Sequence, residues 1–349
     1  MGSRAIVQNR PVLAPAKPFM SRISTRFFLG LCMVCAFALV LSALLAAHAS
    51  AQAPSSNPVL ARDAPFTVAV NTSTIEASPV FVAHEQRDAM FRLINGGVRD
   101  VGSGAAHAGT NAETQMLLAR MTSPNIRMLF TVAEGLYRVV ARRSAGIARL
   151  ADLRGKKIIT PANTSAHYHL VRMLATVGVD ESAVTLVSVP TAEMAAAVRD
   201  GRADALSMWE PEAQRLVDML GRDAIVFQDN GVYRELFSLY TSTEVLNDAS
   251  RRAQLVTFVR GLLTATDTVR RKPPTLVPLV AKIIKQPEPL VDASWKHHRF
   301  PAALPSDMLD VLVREEQWMA GHQKRTALGR AELSAFIDTS VLEEAKRGR

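Results

Sequence analysis

Between residues 147 and 227 short apolar runs alternate with amphipathic stretches. Lys156–Thr160 reads as a buried strand. Asn163-Thr164-Ser165 stands where a helix cap belongs, and Leu170, Leu174 and Val177 follow at spacings of four and three, as on one helical face. Gly178 ends that helix. Val184–Val189 predicts a second strand, Ala192–Arg199 a helix and Ala203–Met208 a third strand. Pro211 suits the first position of a helix over Glu212–Leu220, and Ala224–Phe227 predicts a fourth strand. Strands and helices alternating through short links imply a doubly wound α/β unit, with its ligand crevice at the carboxyl ends of the strands.

The pattern before this unit is similar. Phe66–Val70 predicts the first strand, residues 71–79 the loop at its end, and Val80–Arg87 a helix. Gly97-Val98-Arg99-Asp100-Val101 echoes Gly201-Arg202-Ala203-Asp204-Ala205, which predicts a strand after each copy and then a polar loop, here Gly102–Asn111. Asn111–Met121 predicts a helix, while Arg127–Val132 and Gly135–Ala141 predict strands. After Leu236–Thr241 the pattern is helical. Leu255, Phe258, Val259, Leu262 and Leu263 mark one face of a helix over Arg251–Arg270, which Pro273-Pro274 breaks. Further helices are predicted over Leu276–Ile284, Pro289–Trp295, Asp307–Ala320 and Arg330–Lys346.

Residues 1–51 have the character of an address rather than of a fold. Five basic residues and no acid precede or flank an apolar run over Phe27–Ala47, and Ala49-Ser50-Ala51 is a small-x-small site. The expectation is a secretory signal cleaved after Ala51 and a periplasmic mature chain; an uncleaved anchor is the alternative. Both cysteines, Cys32 and Cys35, lie in that run, so the mature chain has no disulfide, thiolate nucleophile or Cys-based metal site. Cleavage also lowers the formal charge from +9 to +4, too mild and dispersed for a nucleic-acid surface.

The candidate chemistry is binding rather than catalysis. His167-x-His169 diverges on a helix, and His297-His298 has no carboxylate at ligand spacing, so no metal site is expected. No P-loop, Gly-x-Ser-x-Gly elbow or zincin motif appears. Asn163, Thr164 and Ser165 either cap a helix or, with the N–H groups behind them, hold an anionic ligand oxygen. His167 either faces the cleft or packs. Trp209 is a core aromatic or the wall of a pocket. Glu210 either complements the following helix dipole or receives a ligand amine, and Glu76 raises the same question from the facing side.

The ordered series Asp152-Leu153-Arg154-Gly155-Lys156-Lys157-Ile158, Asn163–Tyr168, Gly201–Ala205 and Trp209-Glu210-Pro211 resembles the solute-binding proteins of ABC importers. The branch is that of nitrate, taurine and aliphatic sulfonates, with thiamine-pyrimidine binders close by. The resemblance implies a type II periplasmic-binding fold, with two doubly wound lobes joined by two crossovers and the C-terminal helices packed on lobe 1. Lobe 1 would comprise 52–141 and 234–349, and lobe 2 would comprise 142–233. It also implies a monomer that takes a small solute to an inner-membrane ABC permease, without cofactor or catalytic residue. The ligand is then a sulfonate-, taurine- or nitrate-like anion, or an amine- or pyrimidine-bearing compound. Thr72, Glu76, Thr110, Asn111 and Tyr137 would close on it from lobe 1, against Asn163, Thr164, Ser165, His167, Trp209 and Glu210. The rivals are an enzyme like the thiamine-pyrimidine synthases, which use a histidine with pyridoxal phosphate, and a ligand-delivering partner of a membrane sensor.

Overall fold

The computed structural model describes Leu60, residues 64–86 and residues 90–347. The apolar N-terminal run, its small-x-small site and both cysteines lie outside the described residues. Two mixed sheets organise the rest. The first is built from β1 (Thr67–Val70), β2 (Arg92–Asn95), β3 (Ala108–Asn111), β4 (Ile126–Gly135), β10 (Glu235–Ser242) and β11 (His298–Arg299). Their order across the sheet is β11-β4-β10-β3-β1-β2. The second is built from β5 (Arg138–Arg142), β6 (Lys157–Ile159), β7 (Thr185–Val187), β8 (Ala205–Met208) and β9 (Ala224–Phe227), in the order β7-β6-β8-β5-β9.

The pairing separates two kinds of strand. β1 lies parallel to β2 and β3, and β6 lies parallel to β7 and β8. The antiparallel partners β4, β10, β5 and β9 are those through which the chain passes between sheets. The chain leaves the first sheet from β4 to β5 and returns from β9 to β10. These are the two expected crossovers of an α/β fold of type II periplasmic-binding form.

The central strands of both sheets are covered on both faces, which explains why β1 and β8 are buried at every position rather than alternating with exposed residues. In β5, Val139 and Ala141 pack with Leu170 and Leu174 of helix α4 (Ser165–Ala175), whereas Val140 packs on the other face with Met194 and Leu216. The first sheet buries Val68, Leu129 and Leu239 against Phe258 and Leu262 of α8 (Ala249–Arg271). Its other face carries Ile126, Met128 and Tyr240 against Leu312 and Met319 of α11 (Met308–His322). The predicted apolar stripe of the long helix is therefore a core face.

Several expectations need correction. Gly97–Val101 does not repeat Gly201–Ala205, because Val98–Gly102 is helix α2 while Gly201 turns with φ +79° towards β8. The supposed loop at Gly102–Asn111 holds β3, buried beside β1. Gly135–Ala141 is not one strand, since β4 runs through Gly135 and the chain breaks at Leu136–Tyr137 before β5. Val177 is exposed, lying past the end of α4. Pro211 occupies the cap before α6 (Glu212–Leu220) rather than its first turn. Arg330–Lys346 divides into α12 (Arg330–Ser334) and α13 (Ser340–Arg347).

Candidate functional site

The site lies where the crossovers meet the start of α4. Leu136 N–H donates to His297 O at 2.9 Å, and Gln228 Nε2 donates to Leu136 O at 2.8 Å. Arg234 in the return crossover donates to Glu134 at 2.8 Å and to Asp307 at 2.7 Å. The two crossing segments are thus fixed to each other and to the neighbouring chain. Tyr137, between them, is buried, and its hydroxyl lies 3.0 Å from Ser165 Oγ.

The first turn of α4 is left without a side-chain cap. Thr164 is in the cap position, but its hydroxyl donates instead to Pro161 O at 2.7 Å. Asn163 adopts φ 58°, and its own N–H is taken by His167 Nδ1 at 3.2 Å. The capping reading of Asn163-Thr164-Ser165 is therefore corrected. The backbone donors at the start of α4 keep their dipole for whatever occupies the space in front of them.

That space is a cavity of about 250 Å³. Asn71, Thr74, Glu76 and Asn111 reach it from the loops of the first sheet, and Gln115 from α3 (Glu113–Ala119). Glu235 and Phe237 of β10 line it too. Thr164, Ser165 and Trp209 face it from the second sheet, with Tyr137 between. Six of the predicted residues meet here: Glu76, Asn111, Tyr137, Thr164, Ser165 and Trp209. Trp209 and Tyr137 form an aromatic pair with centroids 6.2 Å apart, and Trp209 is only partly buried, as a pocket wall should be.

The other five stand elsewhere. Thr72 Oγ1 donates to Asn95 Oδ1 at 3.0 Å, on the exposed side of its loop. Thr110 is inside β3. Asn163 is spent in the turn before α4. His167 points away from the cavity: its Nε2 is 2.8 Å from Glu181 Oε1, while His322 Nε2 is 3.1 Å from the other Glu181 oxygen. The His167 ring also stands edge-on to Trp318, with centroids 5.1 Å apart. Glu210 is an ion-pair partner, accepting from Arg138 Nε at 2.8 Å and from Gln214 N at 3.0 Å. Of its two readings, the structure thus has Glu210 complement the start of α6 rather than receive a ligand amine.

Gln115, Phe237 and, with the most bearing on the chemistry, Glu235 were missed in the sequence. Glu235 opens an apolar strand directly after a crossover, the mirror of Tyr137's place in the outgoing one, and that symmetry is the signal that could have found it. Burial, then the nearby Glu76 and Glu113 carboxyls, push its carboxyl well above the usual range. The same burial, with Glu235 and Glu76, pushes up the Tyr137 phenol. Burial alone would lower His298, but Glu76, 3.4 Å away, outweighs it and holds the imidazole above its ordinary value. Behind the cavity Glu113 accepts from Tyr233 Oη at 2.7 Å and from Leu236 N at 2.9 Å. Among the described residues no group of three or more His, Asp or Glu side chains could hold a metal, and no helix is long and apolar enough to cross a membrane.

The pattern of the NMT1/THI5-like family matches residues 95–275, more than half of the chain. The chain belongs to the NMT1/THI5-like family. A putative aliphatic sulfonates-binding protein of Escherichia coli K12 is 23% identical to it over 183 residues, 51% of this chain. The match spans only 55% of that protein's length. Among solved structures, the alkanesulfonate-binding protein SsuA of Xanthomonas axonopodis pv. citri, bound to MOPS, is 16% identical with a TM-score of 0.64, covering 80% of this chain and 99% of that one. The desulfurization enzyme DSZB is also 16% identical, with a TM-score of 0.55 and coverage of 81% and 99%. At such identity the shared property is the fold, and that fold carries both binding proteins and an enzyme.

Proposed function

We propose that the chain is a periplasmic solute-binding protein of an ABC importer. It captures a small organic solute between a lobe of residues 52–141 and 234–349 and a lobe of residues 142–233, and hands it to a permease. The observation that carries this reading is the cavity itself: about 250 Å³, reached by loops of both sheets and by the uncapped start of α4, beside two crossovers that can act as a hinge. The acidic or strongly accepting end of a sulfonate- or taurine-like solute belongs at Thr164, Ser165 and the N–H groups behind them, with Trp209 as the apolar wall. Export through the N-terminal segment and action as a monomer complete the proposal. Relatives named for aliphatic sulfonates support the solute class.

An enzyme of the pyridoxal phosphate kind fits the lining poorly. Among the described residues that line the cavity none is Lys, His or Cys, so it offers neither an amine for the cofactor nor a nucleophilic thiolate or imidazole. A thermal-shift screen of the mature chain against sulfonates, amino acids, nitrate and pyrimidines tests the binding reading. A rise in Tm that follows ligand concentration supports it. Catalytic turnover of a stabilising compound would overturn it.

A further inference from the structure

The cavity is acidic at one end, and none of the described residues that line it supplies the opposite charge. Glu76 and Glu235 are both almost fully buried, and Oε2 of each has no hydrogen-bond partner among the described residues. Their carboxyls converge on one point. A Cβ placed on Gly135 would lie 2.5 Å from Glu235 Oε2 and 3.3 Å from Glu76 Oε1, so glycine leaves open the space both groups look into. Among the described lining residues none is Lys or Arg. One imidazole, His298, stands at 3.4 Å from Glu76 on the sheet side. Buried carboxyls keep their charge only when a cation or several donors meet them, and otherwise stay protonated.

We propose that this end of the cavity takes a protonated nitrogen (an alkylammonium or amidinium group) held between the carboxyls of Glu76 and Glu235. The proposal rests on the solute-binding reading and narrows its ligand class. A bare anion would meet two buried carboxyls with the His298 imidazole, 3.4 Å from Glu76, as the cationic neighbour, whereas a protonated nitrogen between the carboxyls pairs with both and brings the donors they lack. Tyr137, Trp209 and Phe237 line the same cavity, and aromatic ring faces attract cations. The charged and titratable groups around Glu235 are Glu76 from the turn after β1, Glu113 from α3, Tyr137 and Tyr233 from the two crossovers, Tyr240 of β10, Glu315 of α11 and His298 across Gly135. With acids predominating there, Glu235 carries a proton in the empty site and releases it to solvent as the ligand's positive charge enters. Binding therefore tightens as pH rises.

The test uses four probes on the mature chain at matched ionic strength: ethylammonium, benzamidine, taurine and ethanesulfonate. Thermal shift ranks them, and calorimetry in two buffers of different ionisation enthalpy counts protons. The expected result is binding by probes that carry the protonated nitrogen, with proton release. Glu235→Gln should then weaken them on the order of ten- to hundred-fold while leaving ethanesulfonate unchanged, and Glu76→Gln serves as the second variant if the first is poorly folded. Binding of ethanesulfonate alone overturns the inference and leaves solute capture standing. Undiminished amine binding in both variants overturns it as well. Failure of all four probes counts against both the cation and the cavity as the site.

Discussion

Glu235 and His298 flank Gly135 from opposite sides: β10 places Glu235 opposite Gly135, and β11 places His298 opposite the same residue. Strand register thus brings an acid that lines the cavity and an imidazole to one row of the sheet, with no side chain on the residue between them. Gly135→Ala should place a Cβ 2.5 Å from Glu235 Oε2 and 2.9 Å from Tyr137 Cε1, closer than either contact allows. The expected cost is about 1–3 kcal/mol in stability, with loss of binding. Urea denaturation and calorimetry on the same variant check both, and an unchanged affinity would show that this end of the cavity is not used.

Trp209→Ala should remove apolar contact worth about 1–3 kcal/mol, hence roughly ten- to hundred-fold in affinity, with little change in unfolding midpoint because the ring is only partly buried. Ser165→Ala should cost about 1 kcal/mol of binding, since the backbone donors remain. Wild-type affinity in both variants would place the site elsewhere.

Glu210→Gln should act on stability, because the residue is buried against Arg138 and turned from the cavity. Losing one member of a buried pair costs about 3 kcal/mol. The measurement is a paired one: the denaturation midpoint should fall while ligand affinity holds.

Acid should destabilise the fold through His169. Burial lowers its pKa to about 3 from 6.5, and its Nδ1 lies 3.0 Å from Ser207 Oγ. A depressed histidine means that the unfolded chain binds the extra proton. Its contribution is therefore intact above about pH 6.5 and shrinks as pH falls towards 3, by about 2 kcal/mol at pH 5. His169→Gln should flatten this arm of the pH–stability curve, read from urea titrations between pH 4.5 and 7.

Alkali should act through Glu315. Burial and then Glu113 hold its carboxyl well above the usual range, so the native state keeps a proton that the unfolded chain gives up. Stability should fall as pH rises from about 4.5 through the neutral range. Glu315→Gln, neutral at every pH, should be more stable than the wild type at pH 8.5; equal alkaline slopes in the two proteins would assign the effect to another group.

Much of the second sheet was legible in the sequence. α6 and β9 have the bounds that the sequence pattern predicts. β2 and β11 were not legible: one is a half-exposed edge strand, Arg-Leu-Ile-Asn, and the other has two residues, so neither carries an apolar run. The break between α12 and α13 comes from tertiary pairing, since Met128 exchanges backbone hydrogen bonds with Phe336 and Asp338 there. At the site, loop positions such as Asn111 could be read from strand ends. The fate of Glu210 could not, because it depends on Arg138, 72 residues earlier in the chain. Nor could that of His167, settled by Glu181 and by Trp318 of α11.

The crossovers also impose an order of assembly. The second sheet is drawn from one uninterrupted stretch, Arg138–Phe227, whereas the first joins β4 to β10 across everything between, with Gly135 opposite Glu235. Closing so long a loop is entropically costly until the intervening stretch has become compact, and contacts distant in sequence slow folding. The sheet that the chain begins first is therefore the one it completes last. On refolding from urea, amide protons of β6 and β8 should gain protection before those of β4 and β10, and a ribosome-bound chain ending before Glu235 should already protect the second sheet while its first remains open.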